Sequence, residues 1–375
     1  MRYNSSMRYV THFCGLGGAC HGLEQAGLSC ALAIDNDGDG PCIETRAKSL
    51  RCDKGIKMDI RRYFDANATG IDAAGNYVFA KSEDHRKDIF LLWTSPPCKK
   101  FSFANDGPKD DLMENLYRES LKFVEWAKPK YVVMENVKGI IKYEAQANVV
   151  GKEGKISKIA QDFRNLGYRI EWNVLNATRF GCAQTRERVI FVASSDPSKT
   201  GLIPRIEDPK WIHFSSIRER GKCDECLGGD SYRTMNEKLT RLIRKHRAFR
   251  IRIIGLDRDK GTRDDFMPTV TCGFGGGITR KKCAVVDRIR TKGKTVTFLR
   301  HPTLLEGVRA QGFPDDWIKN LPENASLAWN MVGNAVPSPI SKAIAEHLIK
   351  VDRGEHPPSM PPYNMPQPPK EVAWE

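Results

Sequence analysis

The sequence predicts an α/β protein: a doubly wound sheet interrupted by a small basic domain. Three observations carry this. Short, continuously apolar runs alternate with amphipathic stretches through the first half of the chain, as strands buried on both faces require. A glycine-rich turn, Gly15-Leu16-Gly17-Gly18, follows the first run directly. The positive charge is concentrated in one segment beyond Pro204, where this alternation stops.

Residues 9–14 read as the first strand and 18–26 as the helix after it. A second strand at 30–34 ends at Asp35. The run 88–93 is a further strand, 119–127 a helix, 131–134 another strand, and 189–193 closes the series. Helical periodicity returns at 304–311 and 340–349. The division expected is therefore 1–203 for the first part of the sheet domain, 204–300 for the insert, 301–352 for its completion, and a proline-rich disordered tail from 353 to 375.

The composition fits an ordinary folded protein: of 375 residues, 40% are hydrophobic and 28% charged. This excludes collagen-like, wholly disordered and disulfide-scaffold classes. No apolar run approaches the ~18 residues that cross a bilayer, and the N-terminus lacks a signal-peptide core. The expectation is a cytoplasmic protein without a membrane partner. Its 11 cysteines, odd in number and scattered, read as reduced thiols. Residues 205–300 hold 24 basic and 12 acidic side chains, so nearly all of the net charge of +14 lies there. Such a segment beside a near-neutral body is the footprint of polyanion binding, although a solvated, lysine- and arginine-rich loop region has the same composition.

The glycine turn lets the backbone bend tightly and approach a ligand at a helix N-terminus. Its spacing is not GxGxxG, and taken alone it reads as a structural turn. Asp35, 20 residues beyond Gly15, ends the second strand, where a carboxylate can bind the two hydroxyls of a ribose. Asp59, followed by Ile60, occupies a similar position after a further short segment and could meet an adenine amino group.

Thr94-Ser95-Pro96-Pro97-Cys98 follows the strand 88–93, so two prolines fix a thiol at the sheet's carboxyl edge. Lys99 and Lys100 beside it favour the reactive thiolate. Glu135 leaves the apolar strand 131–134; burial there would raise its pKa and suit it to proton donation. Arg186 and Arg188 alternate by two, so on extended chain both face one side and can fix a carboxylate, a phosphate or a base carbonyl.

In order, these blocks resemble the DNA (cytosine-5)-methyltransferase family. The likeness rests on Phe13-Cys14-Gly15-Leu16-Gly17-Gly18, Pro97-Cys98 with Phe101-Ser102, Glu135-Asn136-Val137 and Gln184-Thr185-Arg186-Glu187-Arg188. It continues through Arg309-Ala310-Gln311-Gly312-Phe313-Pro314 and Gly333-Asn334-Ala335-Val336. The resemblance implies a Rossmann-like, S-adenosylmethionine-dependent methyltransferase fold with a target-recognition domain. Cys98 would attack C6 of a flipped-out cytosine while Glu135 protonates N3, Arg188 contacts the base, and Arg186 supports the site. Phe13, the glycine turn (Gly15, Leu16, Gly17, Gly18), Asp35, Asp59, Ile60, Pro96, Asn334, Ala335 and Val336 would bind the cofactor. The chain departs from the family at Lys99, where glutamine is usual, and at Asp35, where many members carry glutamate.

The insert would then be the target-recognition domain on double-stranded DNA, with Lys99, Lys100, Thr271, Arg280, Lys281 and Lys282 as contacts. Cys223 and Cys226 form a CxxC, but Cys272 and Cys283 are too far apart for a second zinc knuckle, so no metal is expected. The resemblance further implies a monomer, associated with the nucleoid through DNA and accompanied by a cognate restriction endonuclease. Two alternatives stand beside it: an RNA cytosine-5 methyltransferase, whose insert signature cysteine-phenylalanine-threonine is missing here, and a catalytically silent nucleic-acid-binding module.

Overall fold

Successive side chains of a strand point to opposite faces, so a continuously apolar strand must be covered twice. In the strand Tyr131–Val137, Val132 and Met134 enter one core while Tyr131 and Val133 enter another. The computed structural model describes residues 7–52, 54–97, 116–141, 155–219, 252–254, 266–270, 283–291, 294–300 and 302–361.

The elements of the first part are β1 (Arg8–His12), α1 (Gly18–Gln25), β2 (Ser29–Asp35), α2 (Cys42–Leu50), β3 (Gly55–Lys57), β4 (Thr69–Asp72), β5 (Tyr77–Phe79) and β6 (Ile89–Thr94). They continue with α3 (Leu116–Ala127), β7 (Tyr131–Val137), α4 (Lys155–Asn165), β8 (Arg169–Asn176), β9 (Gln184–Thr185) and β10 (Glu187–Ser194). Beyond these come α5 (Phe214–Ile217), β11 (Arg252–Ile254), β12 (Met267–Pro268), β13 (Cys283–Thr291), β14 (Lys294–Arg300), α6 (Leu304–Ala310), α7 (Ala325–Asn334) and α8 (Ser338–Asp352).

Among the described residues the main sheet has nine strands in the order β5-β4-β3-β2-β1-β6-β7-β10-β8. The central run β3-β2-β1-β6-β7 is parallel, and β10 lies antiparallel between β7 and β8. Phe123 of α3 with Ile159 and Phe163 of α4 covers one face; Leu23 of α1 with Ile344 and Leu348 of α8 covers the other. Strand order reverses between β1 and β6, the switch point where open α/β sheets form their ligand crevice.

Three departures from expectation have physical causes. The edge strands β5 and β8, and β4 next to β5, lack continuous apolar runs because part of each is exposed. The insert, which showed no clear elements in sequence, carries a sheet β11-β13-β14, with Val285 opposite Arg300 and Thr291 opposite Lys294. Phe214, Ile217, Met267 and Val270 also leave the insert to join a third core with Val308, Trp317 and Met331. Finally, the first part of the expected disordered tail is bound: Arg205 N donates to Pro358 O, Met360 N to Ile203 O and Asn173 Nδ2 to Pro361 O, at 3.0, 2.8 and 2.9 Å.

Candidate active site

The turn after β1 is built at the switch point. Phe13, Gly15 and Gly17 all adopt positive φ (56°, 50° and 93°), a region glycine enters without strain. Cys14 N donates to Ile34 O at 3.1 Å, tying the turn to the end of β2. Asp35 there accepts from Gly15 N and from Asp37 N, each at 2.8 Å. Burial pushes its carboxyl up to about 6, with Asp37 and Asp39 adding to the rise against the two amides. A side chain on Gly15 would meet nothing within 4 Å, so its surface is open. Gly18 is the opposite: a Cβ there would stand 1.9 Å from Val336 O, so only glycine lets the C-terminal block pack on the turn.

At the other end of the parallel run, Glu135 and Arg188 meet. The β7–β10 register sets Ile190 opposite Glu135, which makes Arg188 the diagonal neighbour on the same face. Arg188 Nε lies 2.8 Å from Glu135 Oε1, and both side chains are nearly buried, at 13% and 12% exposure. Glu135 therefore does not stand alone in an apolar pocket; a guanidinium faces it. Arg186 does not share this partner. It is buried, and its Nη1 donates to Val270 O and Gly333 O, both at 2.9 Å, linking the insert to α7.

The other expected cofactor residues divide. Leu16, Pro96, Ile60, Ala335 and Val336 are buried. Asn334 is exposed at the end of α7, and its neighbour Asn330 reaches Asp39 O at 3.3 Å, beside the Asp35 loop. Asp59 caps a short helical turn and is gripped by the Arg61 guanidinium, whose hydrogen bond holds its carboxyl below the usual range. Its acceptor capacity is thus partly spent. Cys98, Lys99, Lys100, Thr271, Arg280, Lys281 and Lys282 lie outside the described residues, as do Cys223 and Cys226.

Gln184 and Gln311 stand in two of the blocks that carry the family likeness, but sequence reasoning assigned neither a role; the structure buries them as a pair. Gln184 Nε2 donates to Gln311 Oε1 at 2.8 Å and to Ala310 O at 2.9 Å, while its Oε1 accepts from Val270 N at 3.0 Å. Gln311 Nε2 donates to Val332 O at 2.6 Å. These amides join three distant parts of the chain, and no local pattern announces such a network.

A glycine turn and a strand-end carboxylate at the switch point are arranged as open α/β proteins arrange a nucleoside-binding site. The family model for C-5 cytosine-specific DNA methylases matches residues 7–350, and the chain belongs to that family. It is thus an S-adenosylmethionine-dependent methyltransferase that acts on cytosine C5 in DNA. The chain is 24% identical over 367 residues to the type II methyltransferase M1.HphI of Haemophilus parahaemolyticus, covering 94% of this chain and 89% of that protein. It is 26% identical over 358 residues to M.NgoMIV of Neisseria gonorrhoeae, covering 91% and 97%. In fold it is similar to Dnmt2 methyltransferase of S. pombe, with TM-score 0.62, 16% identity and 92% and 98% of the two chains covered.

The donor set suits the cofactor. Asp35 faces no cation, only two amides, so its remaining lone pairs are available to a ribose diol. Asp37 and Asp39 close by favour a ligand that carries a positive sulfonium. Among the described residues no helix is long and apolar enough to cross a membrane.

Proposed function

We propose that Cys98 is the nucleophile and Glu135 the acid of this methyl transfer. The observation that carries the reading is the Glu135–Arg188 contact of 2.8 Å at the carboxyl edge of the sheet, on the strand next to β6, whose end leads into Pro96 and Pro97, the residues that precede Cys98 in sequence. Cys98 Sγ adds to C6 of a cytosine turned out of the duplex, and Glu135 brings a proton to N3, so negative charge does not accumulate on the ring. Arg188 holds the Glu135 carboxyl and contacts the base; Arg186 keeps the insert segment at Val270 against the catalytic body. Asp35, Gly15, Asn334 and the buried Pro96, Ala335 and Val336 hold S-adenosylmethionine, with Asp59 and Ile60 at the adenine end. When bound, the cofactor supplies a methyl group on positively charged sulfur. Loss of the C5 proton then expels Cys98 and frees the product.

The basic insert binds the duplex, with Lys99, Lys100, Thr271, Arg280, Lys281 and Lys282 at the DNA. The type II names of the relatives support a restriction–modification setting; a cognate endonuclease, a place in the cytoplasm and at the nucleoid, and a monomeric enzyme belong to the same proposal. Incubation with labelled cofactor and either duplex DNA or RNA tests the substrate. Label in DNA is expected; label confined to RNA would overturn it. Cys98→Ser should abolish turnover with DNA affinity largely kept; equal loss of both would make Cys98 structural. DNA affinity should fall steeply with salt as counterions are released, and a flat response would contradict use of the insert's charge.

A further inference from the structure

A second cluster adjoins the glycine turn and has no part in the chemistry above. Arg46 of α2 is fully buried, yet its hydrogen bonds go only to sulfur. Its Nε lies 3.2 Å from Cys20 Sγ, and its Nη2 lies 3.0 Å from Cys30 Sγ and 3.7 Å from Cys52 Sγ. Nη1 has no hydrogen-bond partner among the described residues. A buried guanidinium without a counter-charge is strongly unfavourable, so one of its neighbours must be anionic.

Several ionisable groups surround it. Tyr9 of β1 donates its hydroxyl to Glu24 of α1 at 2.8 Å, and burial drives its pKa up. Burial also raises Glu24, Cys14 and Cys30. Cys52 goes the other way: a hydrogen bond from the Cys30 thiol, with the nearby Arg46 guanidinium and the Lys54 amide, lowers its pKa to about 5. Cys52 is also only partly buried, so a small molecule can reach it.

We propose that Cys30 and Cys52 form a peroxide-sensitive dithiol whose oxidation removes the thiolate hydrogen-bonded to Arg46 and loosens the glycine turn. The Cys52 thiolate attacks hydrogen peroxide, forming an S–O bond as the O–O bond breaks and hydroxide leaves. Cys30 sulfur then displaces the oxygen from Cys52; the S–S bond forms, and the Cys30 proton departs with hydroxide as water. In sum, two thiols lose two electrons and one peroxide becomes two waters. The link to function is steric: a Cβ on Gly17 would lie 2.9 Å from Arg46 Cγ, so the arginine stem packs directly against the turn. This last step rests on the cofactor reading above.

The test treats the full-length chain with two equivalents of hydrogen peroxide, quenches it, and maps linkages by mass spectrometry. S-adenosylhomocysteine binding is measured on the same samples by calorimetry. The expected result is a peptide linked through Cys30 and Cys52, with affinity weakened roughly tenfold, in the range of ordinary site–site coupling, and restored by dithiothreitol. In Cys30→Ser, peroxide carries Cys52 to a sulfinate, which is still an anion, so affinity should survive the same treatment. Absence of the linkage, a linkage with unchanged affinity, or equal loss in Cys30→Ser would each overturn the proposal. If reduced wild-type protein fails to bind the nucleoside at all, the cofactor assignment fails instead, and the linkage map still decides whether the dithiol exists.

Discussion

Asp35 and Glu135 are both carboxylates at the carboxyl ends of strands in one sheet, yet they are held in opposite ways. Asp35 is surrounded by amides and by other acids, and its carboxyl is pushed up to about 6 by burial. Glu135 is faced by Arg188 at 2.8 Å. An anion left without a cation suits a site that must receive a positively charged ligand. One paired with a guanidinium is held in fixed orientation, as a proton-transfer group must be. In the proposed function, the same residue chemistry at equivalent strand ends is set to two tasks by its neighbours.

The sharpest way to break this comparison is Glu135→Gln, which should lower kcat by ~10²–10⁴-fold, the range of a lost acid–base group. An equal loss of DNA affinity would place Glu135 in binding instead. Arg188→Met should destabilise the fold by ~3 kcal/mol, because it leaves a carboxylate buried without its partner. The double variant Glu135→Gln/Arg188→Met should regain most of that loss in urea unfolding. Asp35→Asn should weaken S-adenosylhomocysteine binding by ~10–100-fold, the worth of one charged hydrogen bond, with the fold intact.

The smallest effect is in pH. A ribose diol donates to the ionised Asp35, so cofactor affinity should fall as pH drops through about 6 in the wild type. In Asp35→Asn it should stay level; parallel profiles would contradict the assignment. The sign for stability is the reverse. A raised carboxyl pKa means that the folded state binds the proton more tightly, so this residue's contribution declines as pH rises from the model-peptide value of 3.8 to about 6. Asp35→Asn should remove that part of the unfolding profile in free protein.

Much of this was legible in the sequence because the sheet centre and the site share one cause. Strands buried on both faces must be continuously apolar, and their ends carry polar residues such as Asp35 and Glu135 where the apolar run stops. Glycines at 15 and 17 marked the turn because left-handed backbone needs them. What stayed hidden depends on contacts between distant segments. Gln184 and Gln311 are 127 residues apart and ordinary in local context. Arg46 is not singled out by the sequence, and only the fold shows its three sulfur partners. Arg186 and Arg188 share a spacing but not a task, because side-chain alternation fixes a direction, not a partner.

The most direct measurement uses duplex DNA carrying 5-fluorocytosine at the methylated position, with S-adenosylmethionine present. Fluorine cannot leave as the C5 proton does, so addition of sulfur to C6 becomes irreversible. A denaturation-resistant protein–DNA adduct, mapped to Cys98 and absent from Cys98→Ser, is the expected result. Normal methylation of unmodified DNA with no adduct on the fluorinated duplex would contradict covalent attack at this sheet edge.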